Sequence, residues 1–212
     1  MNDAHFHRDG ETIASLDGRE FRFMGVHPWN AQAIDLPAEL DRFRSMLESD
    51  SSLGVGEIGL DRLKAKTVTD RQREVFAAQL ELAAEKGRPV VLHGAKCWGE
   101  VVKMIRPHIG KIPAFLFHGF SRSDGLVPDI VAANGFVGVG KAVLNDHAVN
   151  YRELVRRLPK DRILVETDCD GAPEAERIGV LKEIFSKTEE IASISESRID
   201  ANAAAFLACL HG

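Results

Sequence analysis

Histidines follow several short apolar segments of this chain, where they could act together on a metal ion. Five of the eight histidines do so: His5, His7, His27, His93 and His118. Two carboxylates take equivalent positions, Glu57 after residues 53–56 and Asp168 after residues 163–165. Neutral imidazoles with carboxylates are a ligand set for Zn²⁺, Mn²⁺, Fe²⁺ or Ni²⁺. Any one of these histidines alone is more often structural, but their shared placement indicates a metal site.

The number of these side chains indicates more than one ion. His5 and His7 are two residues apart, so on a strand their side chains point to the same face. Four histidines and two carboxylates exceed what one tetrahedral ion needs. Two ions that share a bridging carboxylate would use all six, which are His5, His7, Glu57, His93, His118 and Asp168. His27, beside Pro28 in a turn, is interpreted as a substrate contact or an outer support rather than a ligand.

The segments between these positions alternate between strands and helices. Continuous apolar runs suit strands covered on both faces, and we predict them over residues 21–26, 53–55, 90–92, 114–117, 136–139 and 163–165. The clearest helix begins at Thr69, which has capping-box spacing to Gln72, and ends before Gly87 and Pro89. Further helices are predicted over residues 37–47, 98–105, 125–133, 149–158 and from 193–196 to 207. This alternation predicts a parallel sheet, open or closed, with its site at the carboxyl ends of the strands.

Composition excludes several other classes of protein. With 212 residues, 44% of them hydrophobic and 28% charged, the chain is typical of a globular protein, and we expect one domain over residues 1–212. The net charge of −5 argues against a nucleic-acid-coating surface but leaves room for a local basic rim. No apolar run approaches the roughly 20 residues of a membrane helix, and residues 1–10 are polar, so we expect no leader. The three widely spaced cysteines suit a reducing compartment, and we expect a cytoplasmic protein.

Five short strings together resemble the TatD family of metal-dependent hydrolases, which have amidohydrolase-type barrels. They are Asp3-Ala4-His5-Phe6-His7, Gly25-Val26-His27-Pro28, Gly56-Glu57-Ile58-Gly59-Leu60-Asp61, His118-Gly119-Phe120-Ser121 and Glu166-Thr167-Asp168. The third string is the most specific, and the resemblance extends to the terminal helix with Asn202 and Phe206. It implies an α/β fold of the TIM-type (β/α) barrel kind, trimmed to seven or eight strands. The corner near residues 8–20 would be reduced, with at most a rudimentary strand over residues 12–16 and no helix.

The resemblance also assigns roles to the six side chains. It implies that His5 and His7 bind a first ion, that His93 and His118 bind a second, and that Glu57 bridges the two. Asp168 would bind the first ion and accept the proton of the attacking water, which makes it and Glu57 the catalytic residues. Family members are mostly described as deoxyribonucleases dependent on magnesium, manganese or zinc. The implied cofactors are therefore two divalent ions, and the implied substrates are DNA ends or short oligonucleotides, with neither a membrane nor an obligate protein partner.

The rim of the expected site departs from the family pattern. Residues 8–26 are too few for the usual helix and strand, the arginine that usually lies two residues after the fourth-strand histidine is absent, and Cys169-Asp170-Gly171 replaces the usual serine-proline. The cations expected to hold substrate phosphate are Lys96, Arg122 and Lys141, with His27 as a further contact; for each lysine taken alone, a solvated loop position is the slightly favoured alternative.

Each of four other side chains has two possible roles on the sequence alone. Trp29 and Trp98 follow strand ends and could stack a base or pack in the core. Glu166 could orient a ligand or form a surface ion pair. Asp61 could hydrogen-bond a metal-binding histidine or cap its loop.

The resemblance also leaves open which kind of bond is cleaved. Barrels of this type hydrolyse amides, lactones and phosphotriesters as well, but those sites usually carry a bridging carboxylated lysine. Glu57 at the bridging position favours phosphoesters. A non-catalytic binding barrel would be expected to have lost ligands, and none of the six is missing.

Overall fold

The computed structural model describes residues 1–64, 66–121 and 124–210. The strands in these residues form one sheet in sequence order: β1 Phe6–Arg8, β2 Glu11–Leu16, β3 Arg19–Met24, β4 Gly54–Asp61, β5 Val90–Ala95, β6 Phe115–Phe117, β7 Gly135–Val139 and β8 Ile163–Val165. The α-helices there are α1 Leu36–Ser49, α2 Asp70–Lys86, α3 Trp98–Ile105, α4 Val127–Ala132, α5 Val149–Arg157, α6 Glu174–Ala192 and α7 Glu196–Leu207. None of them is both long enough and apolar enough to cross a membrane.

The sheet is parallel from β3 to β8 and antiparallel from β1 to β3. Each parallel pair is joined through a helix, whereas β1, β2 and β3 are joined by two-residue turns. Both turns read Asp-Gly and have positive φ: Asp9 +52° and Gly10 +80°, then Asp17 +52° and Gly18 +78°. These are the angles of a hairpin turn that joins antiparallel strands. The reduced corner near residues 8–20 is confirmed, but β2 departs from an all-parallel barrel because a turn this short cannot join parallel strands.

Backbone hydrogen bonds join the first strand to the segment that follows the last one. Ala4 N donates to Val165 O at 2.9 Å, His7 N to Cys169 O at 2.7 Å, and Asp168 N to His5 O at 3.0 Å. The sheet therefore curls until its two ends meet. This closure confirms the barrel fold and places residues from both ends of the chain at one rim.

The helices agree with the sequence pattern in most places. Thr69 Oγ1 accepts a hydrogen bond from Gln72 N at 3.1 Å, and α2 ends at Gly87, whose φ is +60°. The helices predicted over residues 37–47, 98–105, 125–133 and 149–158 correspond to α1, α3, α4 and α5.

Helix α6, the longest helix of the described residues, was not predicted. Pro173 precedes it, and no side chain caps its first turn, so the usual starting signal is absent. The usable signal was the apolar stripe along Leu181, Ile184, Phe185 and Ile191, all buried and spaced for one helical face.

Two apolar clusters hold the sheet and the helices together. The larger lies between the strands and α1 to α6. In the smaller, Phe206 of α7 packs against Phe23 and Phe136, with ring centroids 5.8 and 6.0 Å apart. The sheet is therefore covered with apolar side chains, while the strand ends that carry the histidines stay polar.

Candidate metal centre

Glu57 lies at the middle of the cluster of histidines. It belongs to β4, whose eight residues are all buried. The pairing of β4 with β5 shifts register between Val55 and Ile58, and irregularities of this kind redirect a side chain out of the normal strand alternation. The glutamate carboxylate consequently faces the open end of the barrel, with one oxygen toward each of two groups of imidazoles.

The first group comes from the two ends of the chain. Glu57 Oε2 lies 3.6 Å from His5 Nε2 and 3.5 Å from His7 Nε2. Asp168 Oδ1 lies 3.6 and 3.7 Å from the same two nitrogens. Asp168 has a φ of +49°, a left-handed conformation that aspartate tolerates better than most residues.

The second group surrounds the other oxygen of Glu57. Its Oε1 lies 2.6 Å from His93 Nδ1, 3.8 Å from His27 Nε2 and 3.9 Å from His118 Nε2. His118 Nε2 is also 3.7 Å from Asp168 Oδ2, so His118 lies between the two groups. The six side chains expected to converge are thus brought to one place. His27, expected only at the rim, lies among them.

The atoms of this cluster are spaced and charged to hold divalent ions. Both ring nitrogens of His5 are fully buried and have no hydrogen-bond partner among the described residues. Ligand bonds of about 2.0–2.2 Å place neighbouring tetrahedral ligands about 3.3–3.6 Å apart, close to the spacing around His5 Nε2. Three overlapping sets can each surround an ion: His5, His7 and Glu57; His5, His118 and Asp168; His27, Glu57 and His93.

The protonation states follow from burial and from the neighbouring charges. Burial and the nearby His118 hold the pKa of His5 well below its usual value, and burial lowers the pKa of His27 to about 4, so both imidazoles are neutral ligands at pH 7. Burial raises the pKa of Glu57, but His118, His7 and His93 outweigh it and hold that pKa well below normal.

His118 has the opposite tendency. Burial lowers its pKa, but Glu166, Glu57 and Asp168 outweigh burial and raise the pKa to about 10. The carboxylates that keep a proton on His118 would equally attract a divalent cation.

Two carboxylates behind the cluster fix the orientation of two histidines. Asp61 Oδ2 lies 3.0 Å from His93 Nε2, while its Oδ1 accepts hydrogen bonds from Leu63 N and Lys64 N. Asp61 therefore both supports a histidine and caps its loop. Hydrogen bonds of this kind set which nitrogen of the imidazole is free to bind a metal.

Glu166 lies behind His118 as a buried ion-pair partner and is not part of a surface ion pair. Its buried Oε1 lies 3.0 Å from His118 Nδ1 and accepts a hydrogen bond from Gly119 N at 2.8 Å. Gly138 leaves the space for this carboxylate, since a Cβ there would lie 1.9 Å from Glu166 Oε2.

Asp3 is the supporting residue that sequence reasoning missed. It is fully buried and accepts hydrogen bonds from Thr167 N, Thr167 Oγ1 and Arg177 Nη1 at 3.0, 2.8 and 2.9 Å. It thereby ties the segment that carries His5 to the segment that carries Asp168. The available signal was a carboxylate two residues before His5, in the string that resembles the family.

Two adjoining cavities open at the centre. One of about 520 Å³ is lined by the carboxylate–histidine cluster and by Trp29. The other, of about 850 Å³, is lined by Arg62, Lys96 and Ser121, and shares only His93 and His118 with the first among the residues that line them. Lys96 therefore lies at the rim as expected.

The remaining rim residues differ in placement. Lys141 is exposed after β7 and lines neither of these two cavities. Arg122 lies outside the described residues. Trp98 packs in the core against Phe117 and Phe120, whereas Trp29 is exposed.

Comparisons with known proteins agree with this architecture. The family model described as "TatD related DNase" matches residues 2–208. The 3'-5' ssDNA/RNA exonuclease TatD of Pectobacterium carotovorum is 31% identical over 146 residues, which cover 68% of this chain and 56% of that protein. The uncharacterized metal-dependent hydrolase YabD of Bacillus subtilis is 30% identical over 189 residues, covering 81% and 72%. The chain spans little more than half the length of the exonuclease that it matches.

Solved structures show the same fold. The TatD homologue YjjV of Escherichia coli superimposes with a TM-score of 0.74 at 24% identity, covering 90% of this chain and 76% of that one. A TatD family hydrolase from Entamoeba histolytica gives 0.71 at 17% identity, covering 86% and 72%.

Proposed function

This chain belongs to the TatD-related DNase family, and we propose that it is a metal-dependent hydrolase that cleaves phosphodiester bonds at the ends of DNA or of short oligonucleotides. The observation that carries the proposal is the division of the Glu57 carboxylate, with one oxygen toward His5 and His7 and the other toward His93. A carboxylate placed in this way suits a bridge between two cations. The similarity to proteins named as 3'-5' ssDNA/RNA exonucleases supports a nucleic-acid substrate.

The ligands divide into two sets in this proposal. His5, His7 and Asp168 would hold one ion, His93 and His118 would hold the other, and Glu57 would contribute to both. His27 adds a further nitrogen on the side of the second ion. Mg²⁺, Mn²⁺ and Zn²⁺ all suit this mixture of imidazole and carboxylate to some degree. Bound there, the ions would lower the pKa of a water molecule and neutralise charge on the phosphate.

The protein's own groups carry the remaining steps. Asp168 accepts the proton of the attacking water, because its carboxylate is about half exposed to the cavity, at 53%. Burial raises the pKa of Asp168 above its usual value, His118 lowers it, and Glu166 and Glu57 raise it, so it is a better base than a free aspartate. Lys96 at the rim pairs with a substrate phosphate as a point charge.

We propose that the activity needs no obligate protein partner and no membrane. We place it in the cytoplasm, in keeping with the free thiols of Cys97, Cys169 and Cys209. We take residues 1–212 as a single hydrolase domain.

The test is cleavage of end-labelled single-stranded DNA and RNA by protein that has been freed of metal and then given Mg²⁺, Mn²⁺ or Zn²⁺. We expect shortening of the labelled strand only with added metal, and its loss in Glu57→Gln. Glu74→Gln, an exposed glutamate on α2, is the matched control and should cleave normally. Cleavage of an ester or amide panel without cleavage of either nucleic acid would overturn the proposal.

A further inference from the structure

The two tryptophans of this chain lie in opposite environments. Trp98 is 5% exposed and packs against Phe117 and Phe120 in the core. Trp29 is 54% exposed, although a large aromatic ring is usually buried. Packing therefore explains the position of Trp98 and leaves that of Trp29 unexplained.

Trp29 is held in a fixed orientation despite this exposure. Its Nε1 donates a hydrogen bond to Asp61 Oδ2 at 2.7 Å. Its ring contacts the His27 ring at 79° with centroids 4.7 Å apart, and Lys64 Nζ lies 4.3 Å from the indole centroid. A side chain anchored at its polar edge, with about half of its surface exposed, is preorganised for a flat ligand.

The ring also lines the same cavity of about 520 Å³ as Glu57, His93, His118 and Asp168. A nucleotide with its phosphate at the metal centre would therefore have its base within this cavity. We propose that Trp29 is a substrate-binding residue that stacks the unpaired base of the nucleotide next to the scissile phosphate. This inference rests on the proposed function and adds to it a requirement for an accessible base face, which a base stacked inside a duplex does not offer.

The requirement predicts a specific kinetic effect. Base stacking on an aromatic side chain is worth about 1–3 kcal/mol, which corresponds to about a 5- to 150-fold change in binding. The base stacks equally in the ground and transition states, so Trp29→Ala should raise KM for single-stranded DNA by that factor and leave kcat nearly unchanged. Trp29→Phe keeps a stacking face and should recover most of the loss.

A second measurement does not depend on catalysis. Trp29 and Trp98 are the only tryptophans of the chain, so quenching of the exposed indole can be followed in metal-free protein kept in a chelator. We expect saturable quenching by a short oligothymidylate and none by an abasic strand of the same length and charge. Trp29→Phe should lose this quenching, while Lys64→Ala, which removes the cation over the ring, should keep its dependence on the base.

The outcomes separate this inference from the proposed function. Wild-type protein that cleaves nucleic acid, with equal quenching by the two strands and an unchanged KM in Trp29→Ala, would overturn the stacking role alone. Wild-type protein that cleaves no nucleic acid with any metal would overturn the proposed function instead. Failure of Trp29→Ala to fold would leave the quenching comparison in the wild type as the deciding measurement.

Discussion

Asp168 differs from the other groups of the centre in its exposure. His5, just before β1, and Glu57, within β4, are buried, whereas about half of the Asp168 side chain is exposed. A group that exchanges protons with water needs such access, while a group that only binds a cation does not. The two kinds of residue are therefore distinguished by substitutions that keep their shape.

Asp168→Asn keeps the shape of the side chain but removes its charge and its proton acceptor. We expect kcat to fall by about 10²–10⁴, the usual contribution of general acid–base catalysis, with folding retained. Steady-state kinetics and circular dichroism measure these two effects. Lys96→Ala is the contrast, because a phosphate contact made equally in both states changes KM and leaves kcat nearly unchanged. Full activity of Asp168→Asn with metal bound would mean that another group accepts the proton.

Asp61→Asn tests the support behind His93. The amide cannot replace the charged acceptor 3.0 Å from His93 Nε2, so we expect metal affinity to fall about 10- to 100-fold. Isothermal titration of metal-free protein with Mn²⁺ measures this change. Asp170→Asn removes the charge of a carboxylate that lines the same cavity as His93, and it serves as the control. Equal losses in the two variants would show that the general negative charge of the cavity, and not the orientation of His93, sets the affinity.

Most residues of the candidate metal centre could be predicted from the sequence. The residue types and their places in or near the strands were enough to predict that six side chains lie together, because the carboxyl ends of parallel strands meet at one face. The exact positions differ from the expectation, since Glu57 and His93 lie within β4 and β5 rather than after them. The supporting role of Glu166 was only one of two interpretations and that of Asp3 was missed, since their contacts depend on which side chains the closed sheet brings behind the histidines.

A buried ion pair between Asp3 and Arg177 connects three parts of the fold. Asp3 lies before β1 and Arg177 lies in the first turn of α6, and their side chains are almost fully buried. The pair connects the first strand, the segment after the last strand and the longest helix of the described residues. Its loss should affect stability rather than a single catalytic step.

Arg177→Met leaves the Asp3 carboxylate buried without its cation. We expect the free energy of unfolding to fall by about 3–5 kcal/mol, measured by urea denaturation. Arg44→Met, which breaks the exposed pair with Glu85, should cost under about 1 kcal/mol. The double variant Asp3→Asn, Arg177→Met should recover part of the loss. Losses of equal size in the buried and exposed variants would contradict this account.

The loss in Arg177→Met should also depend on pH. Burial already raises the pKa of Asp3 above its usual value, against the opposing effects of Thr167 and Arg177. Without Arg177 that pKa rises further, so the folded state binds a proton that the unfolded state has released. Stability then falls as pH increases between the two pKa values, and we expect a larger loss at pH 8 than at pH 5.

The missed features at this scale have physical reasons. The two Asp-Gly turns at residues 9–10 and 17–18 indicated hairpins, but the short strand between them, expected only as rudimentary, is held by its neighbours more than by its own pattern. Helix α6 lacks a capping side chain and is stabilised by burial of one face, which is a tertiary effect.

The whole molecule should gain stability from the ions that it binds. A ligand that binds only the folded state at 100 times its Kd adds about 2.7 kcal/mol, or about 5–10 °C in Tm for a domain of this size. Calorimetry with and without Mn²⁺ or Zn²⁺ measures the shift. Glu57→Gln should abolish most of it. The exposed His147→Ala should keep all of it, and a shift that survives in Glu57→Gln would indicate binding elsewhere.

The contact between the first residues of the chain and the segment after β8 also determines the order in which the barrel closes and binds metal. His5 is made early and Asp168 late, yet Asp168 N bonds to His5 O, and Gly171 N bonds to His7 O. In a nascent chain, His5 and His7 therefore lack these contacts until β8 and the segment after it have been synthesised. Because contacts this distant in sequence form late in folding, correct metal loading should follow completion of the barrel rather than guide it.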